Sequence, residues 1–321
     1  MRISPFARYA ISGCVAAAAL AGCGGSHLPF GAPAMLSQAR LVAPSVKLGR
    51  SWMAPEAKSE DLLYISDYDG VHVFSYPKGL HVGDITGFVS PAGLCSNKKG
   101  DVFVTDTPAY RVYEYAHGST EPLKTLYDNS VDFGPFDCSV DPTTGNVAAT
   151  NLDSGFVVVF PKAEERPKVY YPHTMHRVSM YMCAYDDEGD LFVDQIYNRD
   201  GRHEYIGELR KVTKQFQVYL LDPRITHPGG IQFDGKHVVI EDLDSHIVYR
   251  LRFSGTKAAV IGSALLDGTP WVEQYWIQGE TLIGPDANST VYFWKYPQGG
   301  SPVSSVQRFT LDVGSTVSLS P

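Results

Sequence analysis

"VFSYPKG" occupies Val73 to Gly79, and "VYFWKYPQGG" occupies Val291 to Gly300. The two phrases set Tyr76-Pro77 and Tyr296-Pro297 220 residues apart. Weaker echoes lie between them: "VYEYAHG" (112–118), "VVVFPKA" (157–163) and "VYRLRFSG" (248–255). The aromatic positions Tyr76, Tyr115, Phe160, Phe253 and Tyr296 are spaced by 39, 45, 93 and 43 residues, and "GELRKVTK" (207–214) fills the long gap as a degenerate copy. Five steps over 220 residues average 44. That period matches one unit of four antiparallel strands in a repeated all-β architecture.

Other elements recur in phase. "PAGLCSNKKGDVFVTD" (91–106), "PFDCSVDPTTGNVAATN" (135–151), "YMCAYDDEGDLFVDQ" (181–195), "PGGIQFDGKHVVIED" (228–242) and "WVEQYWIQGETLIGPD" (271–286) each read as an inner strand A, a turn and a strand B. A hairpin then leads to strand C, which ends in the aromatic phrase, and strand D follows. The first unit starts late, at "DLLYISD" (61–67), with no strand A before it. The last segment, "GSTVSLSP" (314–321), is an alternating strand with nothing after it. The expected fold is therefore all-β: a six-bladed β-propeller, blade 1 closed by the C-terminal strand, which leaves no open sheet edge.

The run from Pro91 to Val112, with Pro-x-Gly, then Gly-Asp-Val-Phe-Val-Thr-Asp, then Arg-Val, resembles the NHL-type and related SMP-30-like six-bladed propellers of bacteria. The resemblance covers residues 61–321. It implies the fold and little about activity, because propellers carry both binders and enzymes.

The N-terminus is of another kind. Arg2 and Arg8 precede the apolar "YAISGCVAAAALAG", too short and too rich in small residues for a spanning helix. "LAGC" (20–23) resembles a bacterial lipobox, with Cys23 as the lipidated first residue. An ordinary secretory signal is the alternative. Residues 1–22 are thus read as a lipoprotein signal peptide, 23–58 as a flexible tether rich in Gly, Ala, Pro and Ser, and 59–321 as the propeller. "SWM" (51–53) stands out as a segment that could dock on the domain. The expected location is the bacterial cell envelope, membrane-held by the lipid and facing the periplasm or the exterior.

The whole chain carries 27 basic and 35 acidic side chains. Without residues 1–22 the balance becomes 25 to 35, which argues against a nucleic-acid partner and against a polybasic lipid-headgroup patch.

The B–C turns recur as "DYDG" (67–70), "NLDS" (151–154), "DLDS" (242–245) and "DANS" (286–289). Asp or Asn at such a turn accepts backbone hydrogen bonds, which explains the repeat without a ligand. None of the four has the spacing of a calcium loop. In a propeller, however, the B–C hairpins and D–A connections share one face. That face would collect Asp67, Asp69, Asp106, Asn151, Asp153, Glu241, Asp242, Asp244 and Asp286, with His173, His176 and His227 from the connections. An acidic rim with histidines suits a cationic ligand or a divalent metal such as calcium, although no cofactor is expected outright and no metal ligands are assigned. The related lactonases hold a metal in that funnel, and Asn151 and Asp242 are compatible types. "HTMH" (173–176) is the one close His pair, and "QIYNRDGRHEYIGE" (195–208) is a polar insertion in blade 4.

Cys95, Cys138 and Cys183 are read at one point of strand A in blades 2, 3 and 4, with Gln232 and Gln274 there in blades 5 and 6. In an exported protein three cysteines prompt a disulfide reading with one left over. Sheet faces packed about 10 Å apart, however, would hold them beyond disulfide reach, so buried thiols are the expectation. The chain has no Gly-rich phosphate loop, nucleophile-elbow Ser or paired-Cys zinc spacing. The functional expectation is a lipid-anchored, extracytoplasmic module that binds or scaffolds a protein or small-molecule ligand. Metal-dependent hydrolysis of the lactonase class on the acidic face is the alternative.

Overall fold

The computed structural model describes residues 49–129, 134–151, 155–164, 166–172, 177–197, 204–225, 227–269, 271–307 and 312–321. All belong to the compact unit Ala43–Pro321. Asp153, His173, His176 and residues 198–203 of the polar insertion lie outside the described residues, as do the signal segment and most of the tether.

The described strands form five antiparallel-rich sheets in a propeller-like arrangement. The first contains Leu62–Asp67, Gly70–Ser75 and His81–Ile85, in that order. The second runs through Pro91–Ser96, Val102–Asp106, Arg111–Tyr115 and Pro122–Tyr127. The third runs through Pro135–Val140, Val147–Asn151, Val157–Phe160 and Lys168–Tyr170. A nine-stranded sheet holds two such meanders, one from Cys183–Tyr185 to Phe216–Asp222 and one from Pro228–Phe233 to Lys257–Leu265. Their outer strands join in parallel, with Leu220 opposite Lys257. The last sheet runs from Trp276–Gln278 to Ser304–Gln307.

The late start of the first unit is made good by the chain's end. Asp312–Ser318 pairs antiparallel with Leu62–Asp67, from Leu62 opposite Ser318 to Ser66 opposite Gly314. On the far edge of the same sheet, Trp52–Met53 pairs with His81–Ile85. Part of the segment read as tether is therefore a strand of the domain.

The doubled phrase of the sequence is one turn used twice. The Tyr76 N–H donates to the Asp61 carbonyl at 2.7 Å, and the Gly79 N–H to Ser75 at 2.8 Å. The Tyr296 N–H reaches Glu280 and the Gly299 N–H reaches Lys295, both at 2.8 Å. Both Tyr-Pro bonds are cis, and Gly79 and Gly299 have φ of 71° and 68°, a region glycine enters without steric cost. The phrase closes strand C and launches strand D.

Between the sheets the strands bury continuous apolar layers. One packs Leu62, Tyr64, Val71 and Val73 against Leu94, Val102 and Val104. The next packs Cys95, Phe103 and Val112 against Cys138, Val147, Ala149 and Phe160. At about 25 cal/mol per Å² of apolar surface, burial on both faces of each sheet is the main stabilising term.

The expectation of three free thiols is corrected here. Cys95 and Cys138 form a disulfide with their Cα atoms 5.7 Å apart, and Cys183 alone of the three is free and buried. The cause is a one-residue offset. Leu94 pairs with Val104, and Cys138 with Ala149, each partner standing two residues before the hairpin Asp106 or Asn151. Cys138 therefore matches Leu94, and Cys95 lies one step further along its strand. A single step turns a side chain to the opposite face, so Cys95 looks towards the third sheet and Cys138 looks back. The inner strands also converge well inside 10 Å: a Cβ built on Gly93 would stand 2.7 Å from the Asp137 Cα.

Candidate functional site

The hairpin acids singled out in the sequence cap turns. Asp67 accepts from the N–H groups of Asp69 and Gly70, and Asp286 from those of Asn288 and Thr290. Asp242 accepts from the Asp244 N–H and the Ser245 hydroxyl. Asp106 accepts from the Val89 and Ser90 N–H groups, both at 2.9 Å, which shows a D–A connection meeting a B–C hairpin on one face. The Asn151 side-chain amide donates to Asp128, and His227 Nδ1 stands 2.6 Å from Asp244 Oδ1. Among the described residues these groups do not converge as a donor cluster; the one set that does is His72, His81 and Asp84, in the first sheet.

One position earlier in strand B, the chain repeats a different device. Ser66 Oγ donates to the Ala92 carbonyl, Thr105 Oγ1 to Phe136 at 2.8 Å, and Thr150 Oγ1 to Tyr181 at 2.7 Å. Each hydroxyl stitches its sheet to the inner strand of the next. In the nine-stranded sheet that same place holds Asp194 and Glu241, which as carboxylates cannot donate. Asp194 Oδ1 accepts from the Met182 N–H at 2.7 Å, while its Oδ2 has no partner. Among the described residues neither Glu241 oxygen finds a partner, although Glu241 is 0% exposed. Both oxygens of Glu204, at 2% exposure, are likewise unpartnered.

Burial and neighbouring acids raise these carboxyls. Burial pushes Glu204 well above the ordinary range, Asp194 and Asp242 push it further, and Arg224 acts in the opposite sense. Burial and then Asp242 raise Glu241 in the same way. Asp194 is raised by burial, against the hydrogen bond from Met182. Nearby, burial pushes Glu273 up to about 7, and the Tyr181 hydroxyl donates to it. A buried polar atom left without a partner costs about 1–3 kcal/mol, more for a charge, so native folds retain few of them. Glu204 lies within electrostatic reach of Asp194 and Asp242, and Glu241 within reach of Asp242.

A concavity lies on the other face. A cavity of about 480 Å³ between the second and third sheets is lined by Lys98, Lys99, Glu114, Lys124, Asp141 and Lys162, among others. Two of its acids have partners within the protein. Asp141 accepts from Thr143 and Thr144, and Lys124 Nζ stands 3.7 Å from Glu114 Oε2.

The sequence places Glu241 on the acidic face but gives no sign of Asp194 or Glu204. Aligning the residue before each hairpin acid exposes the break: Ser66, Thr105, Thr150, Asp194, Glu241, Pro285.

No family model and no curated protein matches the chain. A chain in the solved structure titled "Crystal structure of Nidogen/Laminin Complex" is similar, with a TM-score of 0.67 and 14% identity. The match covers 81% of this chain and 99% of that one. The fold is of the β-propeller type. At that identity the likeness speaks for fold alone.

Proposed function

We propose that the chain is a binding and scaffolding module of the bacterial cell envelope. In this reading a lipid on Cys23 holds it to the membrane, and residues 59–321 form a six-bladed propeller of NHL-like, SMP-30-like type. Counting the nine-stranded sheet as two blades supports six. So does the circuit of inner strands, in which Asp312–Ser318 adjoins Pro91–Ser96 at one side and Trp276–Gln278 at the other. The similar solved chain belongs to a protein complex, which agrees with a binding role.

The observation that carries the function is the broken stitch. Asp194, Glu204 and Glu241 present buried oxygens that have no partner among the described residues. Their complement is a cationic group, an ammonium or guanidinium, carried by a protein or small molecule that enters from the hairpin face. Hydrolysis on this face by a bound metal, the competing reading, needs donors converging on one point, and the described donors converge elsewhere.

The test is calorimetric titration of short oligolysine and oligoarginine peptides into the purified chain. An Asp194→Asn, Glu241→Gln double variant should bind at least about tenfold more weakly, the loss of one charged hydrogen bond. A Lys98→Ala, Lys99→Ala variant on the opposite face should bind as the parent does. Equal binding by parent and double variant, or a loss confined to the lysine variant, refutes the assignment.

A further inference from the structure

The first sheet holds a constellation that the binding role does not use. His72 lies on Gly70–Ser75, and His81 and Asp84 lie on the neighbouring His81–Ile85. His72 stands directly opposite Asp84 in the ladder, while His81 precedes Asp84 by three residues on the same strand. His72 Nδ1 is 2.7 Å from Asp84 Oδ1, and His81 Nε2 is 2.8 Å from the same oxygen. One donor atom from each of the three residues falls within 4.8 Å of the others.

We propose that His72, His81 and Asp84 form a binding site for a divalent transition metal of the zinc class. Two imidazole nitrogens and one carboxylate oxygen are the donor set such ions take in sites that keep further positions for water or a ligand. Bonds of about 2.0–2.1 Å in tetrahedral geometry separate donor atoms by about 3.3 Å. Each His–Asp contact therefore has to open by roughly half an ångström, within reach of small side-chain rotations.

The surroundings orient these groups as an outer shell does. His72 Nε2 is 3.0 Å from Asp67 Oδ2, so the ring can keep its proton on that nitrogen and turn Nδ1 to the ion. A carboxylate behind a metal-bound histidine is the usual way to fix its tautomer. The indole N–H of Trp52 donates to Asp84 Oδ2 at 2.7 Å, which leaves Oδ1 for the metal. Trp52 and Phe74 brace the His81 ring, with centroids 5.3 and 5.4 Å away. His72 and Asp84 are buried, while His81 is partly open beside the half-exposed Trp52. An ion can thus enter from the edge where Trp52–Met53 pairs with the sheet. Loading would fasten the segment from the tether to the domain.

The experiment titrates Zn²⁺, and Co²⁺ as its coloured substitute, into the purified full chain. The expected result is one equivalent bound, with the visible ligand-field bands of nitrogen-ligated Co²⁺ and quenching of tryptophan fluorescence. His81→Ala should lose the bands and weaken binding by more than about 100-fold, and Asp67→Asn by about 10–100-fold, the range for an outer-shell partner. His81→Ala removes a partly exposed ring and should keep the parent's circular dichroism and melting curve. The Asp194→Asn, Glu241→Gln variant should bind Co²⁺ as the parent does, which separates this site from the proposed cationic-ligand site. A parent chain that takes up no Co²⁺, or a folded His81→Ala variant that binds it equally, overturns the proposal.

Discussion

Gln274 donates its side-chain amide to the carboxylate of Asp137, a residue 137 positions earlier in the chain. The same amide bonds the Leu94 carbonyl, and its oxygen accepts from the N–H groups of Leu94 and Ser315, all at 3.1 Å. Asp137 in turn accepts from the Cys183 N–H at 2.9 Å. Two side chains thereby tie together inner strands that belong to the first, second, third, nine-stranded and last sheets. Gln274→Ala would strand several buried partners at once, and we expect a loss of about 3 kcal/mol or more. Equilibrium unfolding in denaturant measures it.

The pH dependence of stability should report Asp137. Burial pushes this carboxyl up to about 7, against the hydrogen bonds from Cys183, Cys138 and Gln274. In the unfolded chain an aspartate titrates near about 3.9. The folded state therefore binds more protons between those values, so its stability falls as pH rises from about 4 to about 7 and levels off above. The drop is on the order of 2–4 kcal/mol. Asp137→Asn, compared with the parent across that window, should flatten the slope by this amount.

The disulfide closes a separation of 43 residues. Loop-closure entropy for that length gives about 4 kcal/mol as an upper expectation, and Cys95→Ser should lower unfolding stability by about 2–4 kcal/mol. Peptide mapping of the unreduced chain should find Cys95 joined to Cys138, and Cys183 alkylated only after denaturation.

Removing Gly314 to Pro321 takes away most of the strand that pairs with Leu62–Asp67 and bares a long apolar edge. We expect loss of cooperative melting and a tendency to aggregate. A truncated chain that melts as the parent does would show that this strand is dispensable.

What the sequence showed followed from periodicity. The aromatic phrase, the Gly turns and the late first strand are each local, and together they carried the strand pattern and the pairing of the C-terminal strand. The turn-capping role of Asp67, Asp242 and Asp286 was equally local, because the side chain bonds its own hairpin. Cys95 and Cys138 were misread because both inner strands carry the same bulge after their opening proline, yet Cys95 stands four residues past Pro91 and Cys138 three past Pro135. That one-step difference in register turns the two side chains to opposite faces. The His72, His81 and Asp84 group was invisible for a related reason: His72 meets Asp84 across a ladder whose register the sequence does not state. The acids of the nine-stranded sheet were visible as residues but not as exceptions, since that requires knowing what the hydroxyls at the equivalent positions do.

If Glu241 stands where the repeat uses a stitching hydroxyl, restoring one should help the fold and harm recognition. Glu241→Thr is expected to raise unfolding stability by about 1–3 kcal/mol, the cost of an unsatisfied buried polar group, while weakening cationic peptides. Stability and binding moving in the same direction would argue that Glu241 is structural.

Among the described residues, Glu241 and Glu204 have no partner for their buried carboxylate oxygens. Carbon-13 NMR of the chain labelled at glutamate side-chain carboxyls, followed from acid to alkaline pH, measures this without knowledge of the ligand. Two resonances, assigned by Glu241→Gln and Glu204→Gln, should titrate well above the ordinary glutamate range in the free chain and shift to the ionised position when a cationic peptide binds. Resonances that titrate in the ordinary range, unmoved by the peptide, would mean that the protein already satisfies these carboxylates, and would contradict the proposed site.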